Sequence, residues 1–564
     1  MTYPRNMQKW IYIAASAVII CCTGLPRLMA LGDFATADED KWIDRSLEFL
    51  GAFFAKDAQG TYLVEHPGVT TMAAGAVGTW LLLHTSDTKL ETGDYRAFVD
   101  SFEENNGPKK LPILKAGRFV LVLSHIVILT IAFFYASRLI GILPASLGFI
   151  LIAFDPFHTA HSRLLHLDGI LSSLLTLSIL AMLSFQESRK IIDLSVAGIA
   201  AGFSWLTKTT GFFLAPAVVL VFIYLNRNIF KAPEENVNIK LLNHSILKPL
   251  IIFMIIGTGA YYLFWPAMWM NPVETLQKVF VNTLLYAQGG HESPVFFGGV
   301  IYPEGEIGFF SWFYPVSILW RLTPITFLGI LFAFISAACK FGEFSHSRIR
   351  QFLGALLIFV LVFIAILNLG EKKFDRYLLP IFPSLDMIAA LGWLSISAYL
   401  ANRIIKNPSY RKIILSILLI TLGAGQIFTS VKTSPYYLSY YNPLFGGPKA
   451  AQQSMMIGWG EGLNEAAQYL AQKPDAEKLH VFSWYDGGPF TYFFPGRVDE
   501  IPTIAVVDAE KLHEILSGDY AVIYIHQWQR SIPQPLLETL AERTPEHSIW
   551  INGLEYARIY KLNP

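Results

Sequence analysis

A succession of apolar runs, most of them long enough to cross a bilayer, constrains this chain more than any other feature. Crossing roughly 30 Å of hydrocarbon takes about 20 mostly apolar residues as a helix, the form in which a single segment satisfies its own backbone polar groups. The first run extends from Trp10 to about Leu28, and others fall near 118–140, 142–157, 169–185, 191–206, 210–225, 248–267, 312–338, 351–369, 377–400 and 411–430. About eleven spans follow. A composition of 53% hydrophobic and only 15% charged residues over 564 positions excludes an ordinary soluble domain. Lys plus Arg equals Asp plus Glu at 43 each, so net charge names no partner and gives no reason to expect nucleic acid. Cys21, Cys22 and Cys339 lie within or at the ends of apolar runs, where no disulfide framework or cysteine metal site is readable.

Arg5 and Lys9 precede the first run and no A-x-A-like cleavage site follows it, so it reads as an uncleaved helix. With the N-terminus cytoplasmic, the inner loops hold Arg138, Arg189, Lys190, Arg227, Lys231, Lys240, Lys248, Lys340, Arg348, Arg350, Arg403, Lys406, Arg411 and Lys412 besides Arg5 and Lys9. The short outer loops hold only Arg163, Lys208, Lys372, Lys373 and Arg376, which is the positive-inside asymmetry. An odd number of spans puts everything after about residue 431 on the outer side. Within a long first outer loop, 31–116, Glu39 to Phe54 places Trp42, Ile43, Leu47, Leu50, Phe53 and Phe54 on one helical face, as suits a helix lying on the membrane surface. Val69 to Leu83 is short for a span and suits an interfacial or re-entrant helix.

One composition change marks a domain boundary. After Tyr436, Tyr437, Tyr440, Tyr441 and Gly446-Gly447-Pro448 no run is long enough to span, and helical and strand patterns alternate. Glu461 to Ala471 and Leu536 to Arg543 predict helices, and Leu479 to Trp484 and Tyr520 to Ile525 predict short buried strands. The expected organisation is a mainly α, polytopic membrane domain over 1–435 and a small extracytoplasmic α/β domain over 436–564.

Four polar clusters fall at outer ends of spans: Asp38-Glu39; His158, His161, Arg163, His166 and Asp168; Lys208; and Lys372, Lys373, Asp375 and Arg376. Carboxylates and cations gathered on one membrane face are what an anionic lipid headgroup and a reacting hydroxyl require. Helix ends are also polar simply because they meet water, so each residue alone carries both readings. Asp38 is a candidate general base for a hydroxyl attacking a sugar carbon, and Glu39 beside it would raise one of the two pKa values by like-charge repulsion. Both also suit an acidic first turn of the surface helix. Asp168 is either an N-cap or a second carboxylate. His158, His161 and His166 lack the i, i+4 pairing with a glutamate of a zinc protease, so no metal ligands are assigned and a divalent metal is the only cofactor left open. His66-Pro67-Gly68 reads as a stiff turn, and His291 with Glu292 sits in a glycine-rich outer loop.

Taken together, Asp38-Glu39, Glu65-His66-Pro67-Gly68, Asp155-Pro156-Phe157 through Asp168, and Lys372-Lys373-Phe374-Asp375-Arg376-Tyr377-Leu378-Leu379-Pro380 resemble the protein O-mannosyltransferase and aminoarabinose transferase group. These are GT-C fold glycosyltransferases of the family 39 type, which use a polyprenyl-phosphate sugar. The resemblance covers about residues 10–435. It implies Asp38 as catalytic base with Glu39 and Asp168 as further acidic site residues, and Lys373 and Arg376, with Lys372, near the donor phosphate. His66, Arg163, His166 and Lys208 are further substrate-binding candidates. Gly68 stands where relatives often have a second proline. The C-terminal domain does not resemble the MIR domain of eukaryotic protein O-mannosyltransferases.

The implied activity is an inverting transfer of a hexose or pentose from a polyprenyl-phosphate donor to a hydroxyl of a protein, lipid or glycan, at the outer face of a bacterial or archaeal-type plasma membrane. A lipid-linked sugar transporter or flippase is the alternative; it would be expected to place its polar residues near the bilayer midplane and to show inverted halves. A binding module on an inert anchor would leave Asp38, Asp168 and Lys373 unexplained.

Overall fold

Two helices are buried along nearly their whole length, and the rest of the membrane part is arranged around them: Leu167–Ser188, and the segment Asp375–Ile404. The computed structural model describes residues 5–85, 107–231, 242–289, 293–303, 312–504 and 506–562. Among these, eight helices are long and apolar enough to cross a membrane, and three shorter apolar helices, Ile142–Phe154, Ile191–Thr207 and Thr209–Leu225, accompany them. Their positions follow the apolar runs of the sequence. The run expected over 312–338 is divided instead into Phe313–Arg321 and Pro324–Cys339. Thr323 caps the second helix by accepting from the Thr326 amide, and Pro324 occupies its first turn, where no amide is needed. The break sets Arg321 at the end of a helix rather than inside one.

Helices Glu39–Phe54 and Val69–Thr85 pack on each other and on the long helix Gly107–Ile140. The turn before Val69 explains an oddity of the sequence. Gly68 has φ +64°, and a Cβ there would meet the Trp42 ring at 2.8 Å. A proline, fixed near φ −65°, could not make this turn. Glu39, fully buried, fastens the start of its helix: its carboxylate accepts from Arg118 Nε at 2.7 Å, from a second Arg118 nitrogen, from the Thr36 amide at 2.9 Å and from the Leu165 amide at 2.8 Å. Three segments far apart in sequence therefore meet on one side chain. Burial alone would raise this carboxyl, but Arg118 and the amides outweigh it and hold it below its ordinary value.

The C-terminal part contains a five-stranded sheet in the order 497–500, 480–483, 520–524, 554–561, 547–551. The first three strands run parallel and the last two pair antiparallel. Helices Leu463–Ala471 and Gln534–Ala541 and strands His480–Ser483 and Tyr520–Tyr524 fall where the sequence predicts them. The strands at 497–500 and 554–561 carry charged residues and the strand at 547–551 opens on His547-Ser548, which weakens the alternation that would announce them.

This sheet region is fastened to the membrane part at several points. Asn464 donates to the Asp33 carbonyl at 2.9 Å, Ala37 donates its amide to the Trp459 carbonyl at 3.1 Å, and the Tyr492 hydroxyl donates to Asp40 at 2.5 Å. Arg321 donates to the carbonyls of Leu438 and Tyr440 at 2.7 and 2.9 Å.

Breaking a buried ion pair leaves one charge stranded. Arg118→Ala is expected to destabilise the protein by about 3–5 kcal/mol, read as a fall in the thermal unfolding midpoint of the detergent-solubilised chain. An unchanged midpoint would remove the Glu39–Arg118 pair as a fastening.

Candidate active site

The two buried helices begin at the same end of the bundle, and their first turns carry the chemistry. Asp168 lies in the first turn of Leu167–Ser188, with His166 as its N-cap. Asp375 and Arg376 open the turn Asp375–Ile381 that leads into Phe382–Ile404. Each helix start turns its free backbone amides and the positive end of its dipole toward this end of the bundle.

Asp38 joins them from the turn before helix Glu39–Phe54. Its Oδ2 stands 3.5 Å from His166 Nε2 and 3.5 Å from an Arg376 nitrogen. Asp168 faces the same two residues, at 3.4 Å from His166 Nδ1 and 3.6 Å from Arg376 Nε, and pairs more tightly with Lys208 at 2.7 Å. Asp38, His166, Asp168, Lys208 and Arg376 thus form one connected centre. Its loose contacts leave hydrogen-bonding capacity: among the described residues, His166 Nδ1, Asp168 Oδ2 and Arg376 Nε have no hydrogen-bond partner.

The electrostatics reverse one expectation. Like-charge repulsion from Glu39 was to raise a carboxyl of the Asp38-Glu39 pair, yet Glu39 turns away to Arg118. Burial by itself would raise Asp38, but the contact with His166 and the charge of Arg376 outweigh it and hold Asp38 well below the usual carboxylate range. Burial would lower His166, but Asp168 and Asp38 outweigh it and raise the imidazole above its ordinary value.

Other candidates have different surroundings. Arg163, fully buried, donates at 2.5 Å to the Ala30 carbonyl and at 3.5 Å to that of Pro435, so it ties chain segments together. The Lys373 ammonium is likewise turned inward, donating to the carbonyls of Leu367, Asn368 and Gly370 at 3.2, 2.9 and 2.5 Å. It closes the C-terminal end of helix Ser347–Leu369, and burial pushes it down to about 8. Lys372 remains half-buried, with its ammonium 3.7 Å from the Tyr286 ring centroid. His66 faces the Thr209 hydroxyl at 3.2 Å and meets Tyr286 edge-on, and burial pushes it down to about 3. His158 is held by Arg27 at 3.0 Å, away from the centre. Among the described residues no three His, Cys, Asp or Glu side chains are placed to hold a metal ion. His291 and Glu292 lie outside the described residues.

A cavity of about 180 Å³ opens beside Asp38 and Arg376, and much of its wall comes from the C-terminal region: Gly458, Trp459, Glu461, Tyr485 and His526, with Arg321 and His161 from the bundle. Trp459 covers the centre, its ring 4.6 Å from the Arg376 guanidinium and edge-on to His166 at 5.0 Å. It is carried by Gly458-Trp459-Gly460-Glu461-Gly462. Gly458 and Gly460 have φ +102° and +117°, and a Cβ at Gly458 would meet the Tyr524 hydroxyl at 2.4 Å. Arg321 lies inside an apolar run, and nothing local in the sequence marks it. For the loop, the alternating glycines around a tryptophan and a glutamate were the one signal available.

The fold is a polytopic, mainly α membrane bundle with this centre at one end of it and a small sheet region beside it. Residues 114–253 match the family model of dolichyl-phosphate-mannose-protein mannosyltransferases, which bears out the resemblance read from the motifs. No curated protein sequence matches the chain. Among solved structures, ArnT from Cupriavidus metallidurans bound to undecaprenyl phosphate is 13% identical with a TM-score of 0.47, covering 99% of this chain and 98% of its own. The archaeal oligosaccharyltransferase AglB from Archaeoglobus fulgidus, in complex with an inhibitory peptide and a dolichol-phosphate, is 13% identical with a TM-score of 0.49, covering 92% of this chain and 70% of its own. The S. cerevisiae protein O-mannosyltransferase complex bound to the sugar donor is 18% identical with a TM-score of 0.33, covering 47% and 34%.

The shifts at the centre have opposite signs in pH. His166 has a folded pKa above its ordinary value of about 6.5, so its contribution to stability is full below that value and is lost as pH rises through the raised one. Asp38 contributes above the ordinary carboxylate value of about 3.9 and loses its contribution as pH falls through the lowered one. NMR of labelled histidine is expected to show His166 titrating above about 6.5, and Asp38→Asn to move it downward. A His166 titration unmoved by that substitution would break the pairing.

Proposed function

We propose that this chain transfers a sugar from a polyprenyl-phosphate donor to an acceptor hydroxyl, with inversion, at the outer face of the membrane. The observation that carries the reading is the meeting of Asp38, His166, Asp168, Lys208 and Arg376 at the common start of the two buried helices. With His166 protonated, two carboxylates face three cations, one net positive charge, where two helix dipoles also favour an anion. A lipid phosphate would complete this balance. Arg376 and the half-exposed Lys372 are the cations able to receive it, while Lys208 neutralises Asp168.

In the reaction, the acceptor oxygen forms a bond to the anomeric carbon as the bond from that carbon to the phosphate oxygen breaks, and its electron pair leaves with the polyprenyl phosphate. The acceptor proton passes to Asp38. A carboxylate held this acidic is a weak base toward a neutral alcohol, so it receives the proton late, when bond formation has acidified the hydroxyl. Charge on the departing phosphate is offset by Arg376, whose field is strongest where Trp459 excludes water. Glu39 acts in this scheme by fixing the backbone that carries Asp38.

Location supports an enzyme over a transporter. The polar centre lies at one end of the bundle rather than at its middle, and the C-terminal region closes over it. The basic inner loops support a cytoplasmic N-terminus and an extracytoplasmic C-terminal domain, with the domain boundary near residue 435. Acceptor and sugar are set by the cavity rather than by this centre.

Asp38→Asn is expected to retain the fold and the binding of undecaprenyl phosphate and to lose transfer by about 10²–10⁴-fold, measured with a radiolabelled polyprenyl-phosphate sugar in membranes. Near-normal transfer by this variant would remove Asp38 as the base.

A further inference from the structure

The cavity beside Asp38 has two walls of different origin. The bundle supplies Asp38, Asp375 and Arg376, and the C-terminal region supplies Glu461, Tyr485 and His526. The second wall is built, buried and incompletely satisfied. Glu461 and His526 are only 1% and 4% exposed. Glu461 Oε2 accepts from the Trp459 amide at 2.5 Å and from the Tyr524 hydroxyl at 3.3 Å, and His526 Nδ1 faces the Tyr485 hydroxyl at 3.1 Å. Glu461 Oε1 has no hydrogen-bond partner among the described residues, and His526 Nε2 has none of full geometry, the Gly458 carbonyl being the backbone group beside the ring. Buried polar atoms in folded proteins are nearly always paired, so two such atoms on one cavity wall point to a ligand that supplies their partners.

The chemistry of that ligand is bounded. Glu461 Oε1 asks for a donor, or gives one if protonated, and burial raises its carboxyl above the ordinary value. His526 Nε2 takes a donor or an acceptor according to its tautomer. A hydroxyl meets either requirement in every combination. A phosphate would face a carboxylate on this wall, and an ammonium would stand close to Arg321 and Arg376, which line the same space. Trp459 and Tyr485 add flat apolar faces of the kind that pack against the C–H face of a sugar ring. The cavity, about 180 Å³, has room for a single ring.

We propose that Glu461 and His526 form the subsite for the donor's sugar, holding a neutral ring by its hydroxyls between the C-terminal wall and Asp38. The C-terminal region is then part of the binding site rather than an appendage. This rests on the reading of the chain as a transferase using a lipid-phosphate sugar. The ring is assigned to the donor because its anomeric carbon must lie between Arg376, which takes the phosphate, and Asp38, which takes the acceptor proton, and the unpartnered atoms line that same space.

The test is binding by the full chain in nanodiscs. Sugar-free undecaprenyl phosphate is compared with undecaprenyl-phosphate-linked mannose, glucose, arabinose and 4-amino-arabinose. The wild type is expected to bind one of the neutral sugar lipids about tenfold or more tightly than the sugar-free lipid. Glu461→Gln and His526→Ala are each expected to lose most of that preference while keeping wild-type affinity for the sugar-free lipid, Glu461→Gln also with an unchanged unfolding midpoint. Glu461→Gln is nearly isosteric and preserves the shape that holds Trp459. Full retention of the preference by both variants overturns the subsite and leaves the transferase reading standing. Loss of sugar-free lipid binding in both also overturns it. A strongest preference for the amino sugar overturns the neutral class, and a wild type that prefers none of the sugar lipids overturns the donor reading itself.

Discussion

The shared ion pairing of Asp168 is the interaction on which the site depends. Its carboxylate, at the start of the most buried helix, meets Lys208, Arg376 and His166 at once. A charge in that position is costly unless paired, and here two of the partners arrive from other segments while His166 is the cap of the same helix. Lys208 is the tight partner. Arg376 and His166 are held at longer range and are shared with Asp38. The arrangement therefore anchors the helix start through one cation and leaves Arg376 on the wall of the cavity.

The second layer of charged residues fixes the first. Glu39 and Arg118 secure the turn that carries Asp38, and Arg163 joins the end of the first helix to the chain near Pro435. Arg321 pairs with Asp375 at 2.7 Å and grips the backbone leading to the C-terminal region. Asp375 is the neighbour of Arg376, so the contact that docks the C-terminal region also steadies a residue of the centre. Recognition and chemistry share a frame.

The spans were legible because each apolar run is a local property of the sequence, and hydrocarbon leaves the backbone little choice. Asp38, Asp168 and Arg376 were legible as charges interrupting apolar pattern. Glu39, Arg163 and Lys373 looked the same in sequence but satisfy buried carbonyls or an internal ion pair, and no spacing rule separates a charge aimed at a ligand from one aimed at a backbone. Arg321 was hidden inside a run read as continuous, because the break at Thr323-Pro324 depends on a cap. Trp459, Glu461 and His526 reach the centre only through packing of the sheet region, more than 400 residues beyond Asp38 for each, and long-range docking leaves little trace in local pattern. The Gly458-x-Gly460-x-Gly462 loop was the exception, since glycines there are required by positive φ.

The most direct test of the central claim is an electron cryomicroscopy structure of the full chain with an undecaprenyl-phosphate-linked sugar bound. The account predicts the phosphate within about 4 Å of the Arg376 guanidinium, with the anomeric carbon turned toward Asp38. A phosphate bound near the middle of the bundle or at its opposite end, with Arg376 still paired to Asp38 and Asp168 alone, would contradict it.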